Sequence, residues 1–257
     1  MRVVTFNILN GRSPDDDQVD LDVYADAIAA LDADVLALQE VDRFQPRSRG
    51  ADLTAMAAQA MGAVDHRFVA ALSGSPGATW EAATGREQPD AAAYGIALLS
   101  RYPVVAWEVV RLPALPVPVP IRFRGDRLPT LVRDEPRVAV AAQIETPQGC
   151  LTVANTHLSF IDRWNSRQLR SLVTALEGRP RPLLLVGDLN LGPERAESVS
   201  RMRGLAAHPT FPVDAPREQL DHVLADGSVQ VGATAAPALP LSDHRALVVD
   251  LTIDDQR

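Results

Sequence analysis

The feature that most constrains this chain is a series of short apolar runs, each lying against a residue with chemistry. Val35-Leu36-Ala37-Leu38 leads into Gln39-Glu40, and Leu151–Ala154 leads into Asn155 and His157. Leu183–Val186 leads through Gly187 into Asp188 and Asn190. Asp221 follows Leu220, Asp243-His244 precedes Ala246–Val249, and Asn7 interrupts the opening run near its end. Short apolar runs bounded by turn signals read as buried strands. Strand ends gathered on one rim of a sheet bring side chains from distant positions into one cleft.

The intervening segments alternate between helix and strand. Asp20–Leu31 places Leu21, Tyr24, Ala25, Ile28 and Leu31 at helical spacing, and Ala51–Met61 reads as a helix stopped by Gly62. Arg163–Leu176 is a third helix. Arg2–Leu9, Tyr94–Leu99, Val104–Val110, Leu220–Leu224, Gln230–Ala233 and Ala246–Ile253 read as further strands. Arg137–Glu145 and Leu151–Asn155 form a hairpin around Pro147-Gln148-Gly149. Residues 73–90 read as a long loop, and the proline-rich stretch 113–129 as a loop or lid. Strands outnumber helices and several are joined by short turns. This predicts an α/β fold with mixed sheets, in one domain spanning 1–257, with no interdomain linker.

Composition narrows the function classes. The charge is −8, with 33 acidic against 25 basic residues, and every basic residue is arginine. A net-negative surface repels nucleic-acid phosphates, so nucleic acid is a possible but disfavoured partner unless a cleft is locally positive. No apolar run is long enough for a membrane span, and the start lacks the apolar core of a signal peptide. The lone Cys150 has no disulfide partner, so a cytoplasmic location is expected.

The residues at the strand ends comprise carboxylates, amides and two imidazoles, with no serine or cysteine nucleophile in a suggestive context. An oxygen-rich set suits a hard cation, Mg²⁺ or Mn²⁺. With imidazoles to move protons, it points to metal-assisted attack of water on a phosphate ester. Singly, each residue is equally explained as a turn or cap. The ordered series carries the signal.

That series resembles the endonuclease/exonuclease/phosphatase superfamily. The matching pieces are Thr5-Phe6-Asn7-Ile8-Leu9, Leu38-Gln39-Glu40-Val41, Tyr94–Pro103, Pro136-Arg137, Asn155-Thr156-His157-Leu158, Arg167-Gln168, Gly187-Asp188-Leu189-Asn190, Leu220-Asp221-His222-Val223 and Ser242-Asp243-His244-Arg245. The resemblance implies a four-layer α/β/β/α sandwich, two packed mixed sheets with helices outside, and a metal-dependent cleft at one edge. It implies Glu40 as main metal ligand with Asn7 beside it, and Asp243 as a second ligand or a partner through water. Asp188 would activate water and Asn190 would donate to phosphoryl oxygens. His244, held by Asp221, would contact the phosphate and pass a proton, and His157 would contact it from the opposite side. Arg137, Asn155 and Tyr94 are candidate phosphate contacts. His222, next to Asp221 on a strand, should face the other way and be structural. His66 and His208 match no motif. Glu81 and Glu87 are the available partners for His157.

The motifs sit best with a bacterial phosphodiesterase or sphingomyelinase-like branch. The alternatives are a magnesium-dependent nuclease acting on DNA or RNA, a lipid-headgroup phosphodiesterase docking through 113–129, and a non-catalytic binding module.

Overall fold

The computed structural model describes residues 1–122 and 128–254. Its elements are β1 (Arg2–Asn7), α1 (Leu21–Ala30), β2 (Val35–Arg43), α2 (Leu53–Met61), β3 (Asp65–Gly74), β4 (Trp80–Ala82), β5 (Ala93–Ser100), β6 (Val104–Leu112), β7 (Val119–Ile121), β8 (Thr130–Val132), β9 (Arg137–Thr146), β10 (Gly149–His157), α3 (Trp164–Ala175), β11 (Leu183–Asp188), α4 (Pro193–Ser200), β12 (Arg203–Gly204), β13 (Asp221–Asp226), β14 (Val229–Ala235) and β15 (Leu247–Ile253). Seven strands form one sheet in the order β14-β15-β1-β2-β5-β3-β4, and six form a second in the order β12-β13-β11-β10-β9-β6. The pairs β1–β2 and β10–β11 run parallel, and the other pairs in both sheets run antiparallel. Both sheets are therefore mixed.

Side-chain alternation builds the layers. Val35 and Ala37 of β2 face inward and pack with Val140, Val153 and Leu184 of the second sheet. Leu36 and Leu38, one residue out of phase, face outward against Tyr24 and Ile28 of α1 and Leu53 and Ala57 of α2. On the far side, Ala154, Leu183 and Leu185 pack against Leu169 and Leu172 of α3 and Ala196 of α4. A strand buried on both faces loses the polar alternation of a half-exposed one, which is why these runs read as continuously apolar. The result is the expected α/β/β/α sandwich.

Local signals account for the helix starts. Asp20 caps α1, accepting from the backbone N–H of Asp22 and Val23, and Asp52 caps α2 through Ala55 N. Each such cap contributes about 1 kcal/mol. Gly62 ends α2 at φ 70°, a left-handed conformation that glycine adopts without a Cβ penalty.

Three expectations change. Residues 65–74, not anticipated as ordered, form β3, whose first residues Asp65, His66 and Arg67 are polar and partly or fully exposed. The loop expected over 73–90 contains β4, paired with the end of β3. The stretch 113–129 is not all loop: Val119–Ile121 pairs with Thr130–Val132. Residues 123–127 of that stretch lie outside the described residues.

Candidate active site

Strand register brings the chemistry to one level. In the second sheet His157 of β10 pairs with Asp188 of β11, and Asp188 pairs with Asp221 of β13. Paired residues point to the same face, so these three side chains form a row across adjacent strands. Facing them, Asn7 ends β1 beside Gln39 of β2. Gly187 permits the sharp approach before Asp188: it sits at φ +137°, and a Cβ there would lie 1.9 Å from Thr156 O.

Glu40 reaches the site through a bulge. The β2–β5 register shifts between Leu38 and Val41, and Glu40 adopts φ 55°. A bulge re-aims the side chain it carries, and a non-glycine residue held at positive φ stores strain that surrounding contacts must maintain. The support is visible: Asn10, itself buried, donates from Nδ2 to Glu40 O at 3.1 Å. Glu40 is not alone among the matched motif residues in this: Asn190 lies at φ 50°, Leu9 at 45° and Ser242 at 70°.

Asn7, Glu40, His157, Asp188, Asn190 and His244 line a cavity of about 340 Å³, together with Tyr94, Glu135, Arg137, Phe160, Phe211 and Leu220. Asp188 Oδ2 is its hub. It accepts from Asn7 Nδ2 at 3.1 Å, and lies 3.5 Å from His157 Nε2 and 3.8 Å from His244 Nε2. Its Oδ1 accepts from Asn190 N at 3.0 Å. Asn7 Nδ2 also reaches Glu40 Oε1 at 3.2 Å, while Asn7 Oδ1 accepts from Leu9 N. Asn7 therefore ties the two carboxylates together with its nitrogen, and its oxygen is turned away from them. Asn190 Nδ2 donates to Leu158 O at 3.0 Å and lies 3.4 Å from His157 Nε2. Behind His244, Asp221 Oδ2 lies 2.8 Å from Nδ1.

Electrostatics separates the two imidazoles. Burial, with the positive charges of Arg137 and His244 adding, pushes His157 well below its ordinary value. His244 goes the other way, to about 10: burial opposes its charge but is outweighed by Asp221, through charge and hydrogen bond, and by Asp188 and Asp243. Near neutral pH His157 is the neutral ring and His244 the imidazolium. Asp188 is raised to about 7 by burial and by the neighbouring charge of Asp221. Glu40 is raised too, first by burial, with Asp243 adding and the Asn7 hydrogen bond opposing. Burial likewise lifts Tyr94 well above its usual range, so it keeps its proton. Titratable groups driven apart in this way mark acid and base roles.

The donor set fits a hard divalent cation. Glu40 is a carboxylate whose burial disfavours its own charge, the cost a bound cation offsets. Asp188, Asp221 and His244 form a buried cluster whose ligand atoms lie within 4.8 Å of one another. The close Asp221–His244 bond already occupies that pair, so the cavity-facing carboxylates of Glu40 and Asp188 are the better place for an ion.

Of the residues anticipated, Asn7, Glu40, Tyr94, Arg137, His157, Asp188, Asn190 and His244 come together on the cavity, with Asp221 one layer behind. Asp243 does not line it; its backbone oxygen accepts from Val213 N. Asn155 requires a correction. It is fully buried between the sheets, where Nδ2 donates to Leu38 O and Ala97 O and Oδ1 accepts from Gln39 Nε2. Every polar atom of that amide is committed to joining the sheets, and none is left for a phosphate. Glu81 and Glu87 are not among the lining residues either, and Glu87 is bound by its own turn at Thr84 and Gly85. His222 points to the opposite face, where Nε2 meets Leu191 O at 2.7 Å.

Several contributors escaped the sequence reading, Glu135 on the cavity wall and Asn10 behind Glu40 among them. Phe211 stacks on His244 with ring centroids 4.9 Å apart, and Phe160 is 43% exposed on the rim. Ser242 Oγ donates to Asn7 O and accepts from His244 N, fixing one ring's position to the other strand. Asn165 Nδ2 holds Asn190 O at 2.8 Å. Ser242 lay inside a motif; the others sit in loops or on a helix with no local signature.

No curated protein sequence matches the chain significantly. Among solved structures, an endonuclease/exonuclease/phosphatase from Beutenbergia cavernae is 24% identical with a TM-score of 0.71, covering 98% of this chain and 71% of that one. A mannosyl-6-phosphatase from Bacteroides thetaiotaomicron is 14% identical with a TM-score of 0.61, covering 98% of this chain and 100% of that one. The human Nocturnin catalytic domain, with bound sulfate, is 22% identical with a TM-score of 0.61, covering 99% and 94%. These likenesses concern the fold. The sequence itself matches the model of the Endonuclease/Exonuclease/phosphatase family over residues 4–244, nearly its whole length, and the chain belongs to that family.

Proposed function

We propose that the protein is a Mg²⁺- or Mn²⁺-dependent phosphoesterase that cleaves phosphodiesters with an activated water. The observation that supports this reading best is the hub at Asp188 Oδ2, which faces both imidazoles and the Asn7 amide across one small cavity. A cation held by Glu40, with Asp188 as its neighbour, would neutralise a phosphoryl oxygen and acidify a water.

The chain's own groups do the rest. Asp188, raised toward neutrality by burial, accepts the proton of the attacking water at Oδ2. The His244 imidazolium, kept charged by Asp221, stabilises negative charge on the phosphoryl group and holds a proton at Nε2 within reach of the oxygens. Asn190 and neutral His157 contribute a second polar wall, where an amide donor meets the charge that grows in the transition state. Arg137 is buried with an Nε that has no acceptor among the described residues, and a phosphate oxygen in the cavity would satisfy it. Tyr94, protonated, adds a hydroxyl. Phe160 and Phe211 make the rim partly apolar.

The cavity is small and the net charge is −8, so small or lipid-linked diesters are favoured over duplex DNA, whose binding needs many cationic contacts. A metal-supplemented comparison of bis-p-nitrophenyl phosphate, p-nitrophenyl phosphate, plasmid DNA, RNA and sphingomyelin at near-physiological salt tests this. Higher kcat/KM on a small diester or sphingomyelin is the expected result. Higher kcat/KM on DNA or RNA than on every small diester would replace it with a nuclease, and the absence of turnover on all would replace it with a binding module.

A further inference from the structure

A second cavity, of about 540 Å³, shares no lining residue with the first. It opens at the lateral edge of the sandwich, between β3 of one sheet and β6 of the other, under the turn at 84–89. Arg43, Arg67 and Arg111 converge on it from β2, β3 and β6. They are remote in sequence, in a chain whose net charge is −8.

None of the three has a carboxylate within salt-bridge distance among the described residues, whereas Arg2, Arg47, Arg101 and Arg181 each do. Arg43 Nε is buried and has no acceptor among the described residues. Its guanidinium is held by aromatic faces instead, 4.8 Å from the Phe68 centroid and 5.9 Å from that of Phe44. Arg67 likewise lies 6.0 Å over Trp107, and Arg111 is steadied by one bond from Nη1 to Ala70 O. Stacking fixes an arginine in place while leaving its N–H groups free for an acceptor. Among the described residues the one carboxylate on the cavity, Glu87, spends its oxygens on Thr84 and Gly85 of its own turn. Gly85 leaves the room for this approach, since a Cβ there would meet Arg111 Nη2 at 2.9 Å.

Three positioned cations, one with an orphaned buried donor, outnumber the one carboxylate that the described residues bring to the cavity, and they make a site for a phosphate-class oxyanion. We propose that this cavity binds a phosphate group, distinct from the scissile one. Arg43 stands three residues beyond Glu40 on β2, about 10 Å along a strand. The phosphate is therefore either carried by the substrate outside the catalytic cavity or supplied free from solution. The site itself does not depend on the catalytic reading.

Titration calorimetry with inorganic phosphate tests the site without turnover. The wild-type protein is expected to bind phosphate with a component that bis-p-nitrophenyl phosphate does not displace. Arg67→Gln/Arg111→Gln is expected to weaken that component by about 10-fold or more, the loss of one charge-assisted contact or more. Both arginines are exposed, and a melting curve checks the fold. If the double variant is unfolded, Arg67→Glu makes the same test by charge reversal. Phosphate bound only in competition with the diester, or equally by wild type and variant, overturns the site. The source is read kinetically, by comparing bis-p-nitrophenyl phosphate with a diester that carries a terminal phosphate monoester. A selective loss of kcat/KM on the second in the variant assigns the phosphate to substrate. An unchanged ratio, with phosphate binding lost, assigns it to a free oxyanion.

Discussion

Asp221 Oδ2 sits 2.8 Å from Nδ1 of His244, with the Asp221 side chain fully buried and its Oδ1 lacking a partner among the described residues. A carboxylate whose one bonded oxygen is committed to an imidazole is held there for the imidazole. It fixes the ring's orientation and keeps it charged, leaving Nε2 to face the cavity.

Asp221→Asn and His244→Ala are each expected to lower kcat by about 100-fold or more. Because the two act as a unit, the double variant should lose no more than the worse single one. Additive losses would show that Asp221 acts on something other than His244.

Asn155 is expected to be a stability residue. Asn155→Ala strands Leu38 O, Ala97 O and the Gln39 amide between the sheets, at a cost of about 2–4 kcal/mol. Urea unfolding should show the midpoint falling, with residual kcat close to wild type in the folded fraction. A large loss of kcat at unchanged stability would return Asn155 to the phosphate.

His222 makes acid stability measurable. Burial lowers its pKa below the ordinary value, so the folded state prefers the neutral ring. Its contribution is fully present above the unfolded pKa of about 6.5 and is lost as pH falls below that toward the folded value. His222→Gln should therefore flatten the decline of stability between about pH 7 and pH 5, read from urea midpoints across that range. An unchanged slope would place the buried ring's cost elsewhere.

Much of this architecture was legible because it rests on local patterns. The apolar runs Val35–Leu38 and Leu183–Val186 mark strands buried on both faces, and the motif residues at their ends lie at one level because strand register puts them there. What escaped depends on contacts between distant segments. Asn155 reads from the sequence like its motif neighbour His157. Only the opposite sheet's Leu38 and Ala97 carbonyls, arriving across the interface, show that its amide is used up. The strand β3 begins with Asp65-His66-Arg67, and its apolar part, Phe68-Val69-Ala70-Ala71-Leu72, carries a single β-branched residue and no polar alternation to announce it. The sequence's densest arginine stretch runs from Arg122 to Arg137, and of its described arginines only Arg137 lines the catalytic cavity. Arg43, Arg67 and Arg111 come to line one cavity through sheet packing that no local spacing encodes.

The central claim is that the cavity holding Glu40 and Asp188 hydrolyses phosphate esters with a bound divalent cation. The most direct measurement is turnover of bis-p-nitrophenyl phosphate by chelator-treated protein, with and without added Mg²⁺ or Mn²⁺, for wild type, Glu40→Gln and Asp188→Asn. The account predicts no turnover after chelation and recovery on adding metal. It also predicts a raised metal requirement in Glu40→Gln and a loss of about 100-fold or more in Asp188→Asn. Full wild-type activity in excess EDTA, or wild-type rates in both variants, would contradict it.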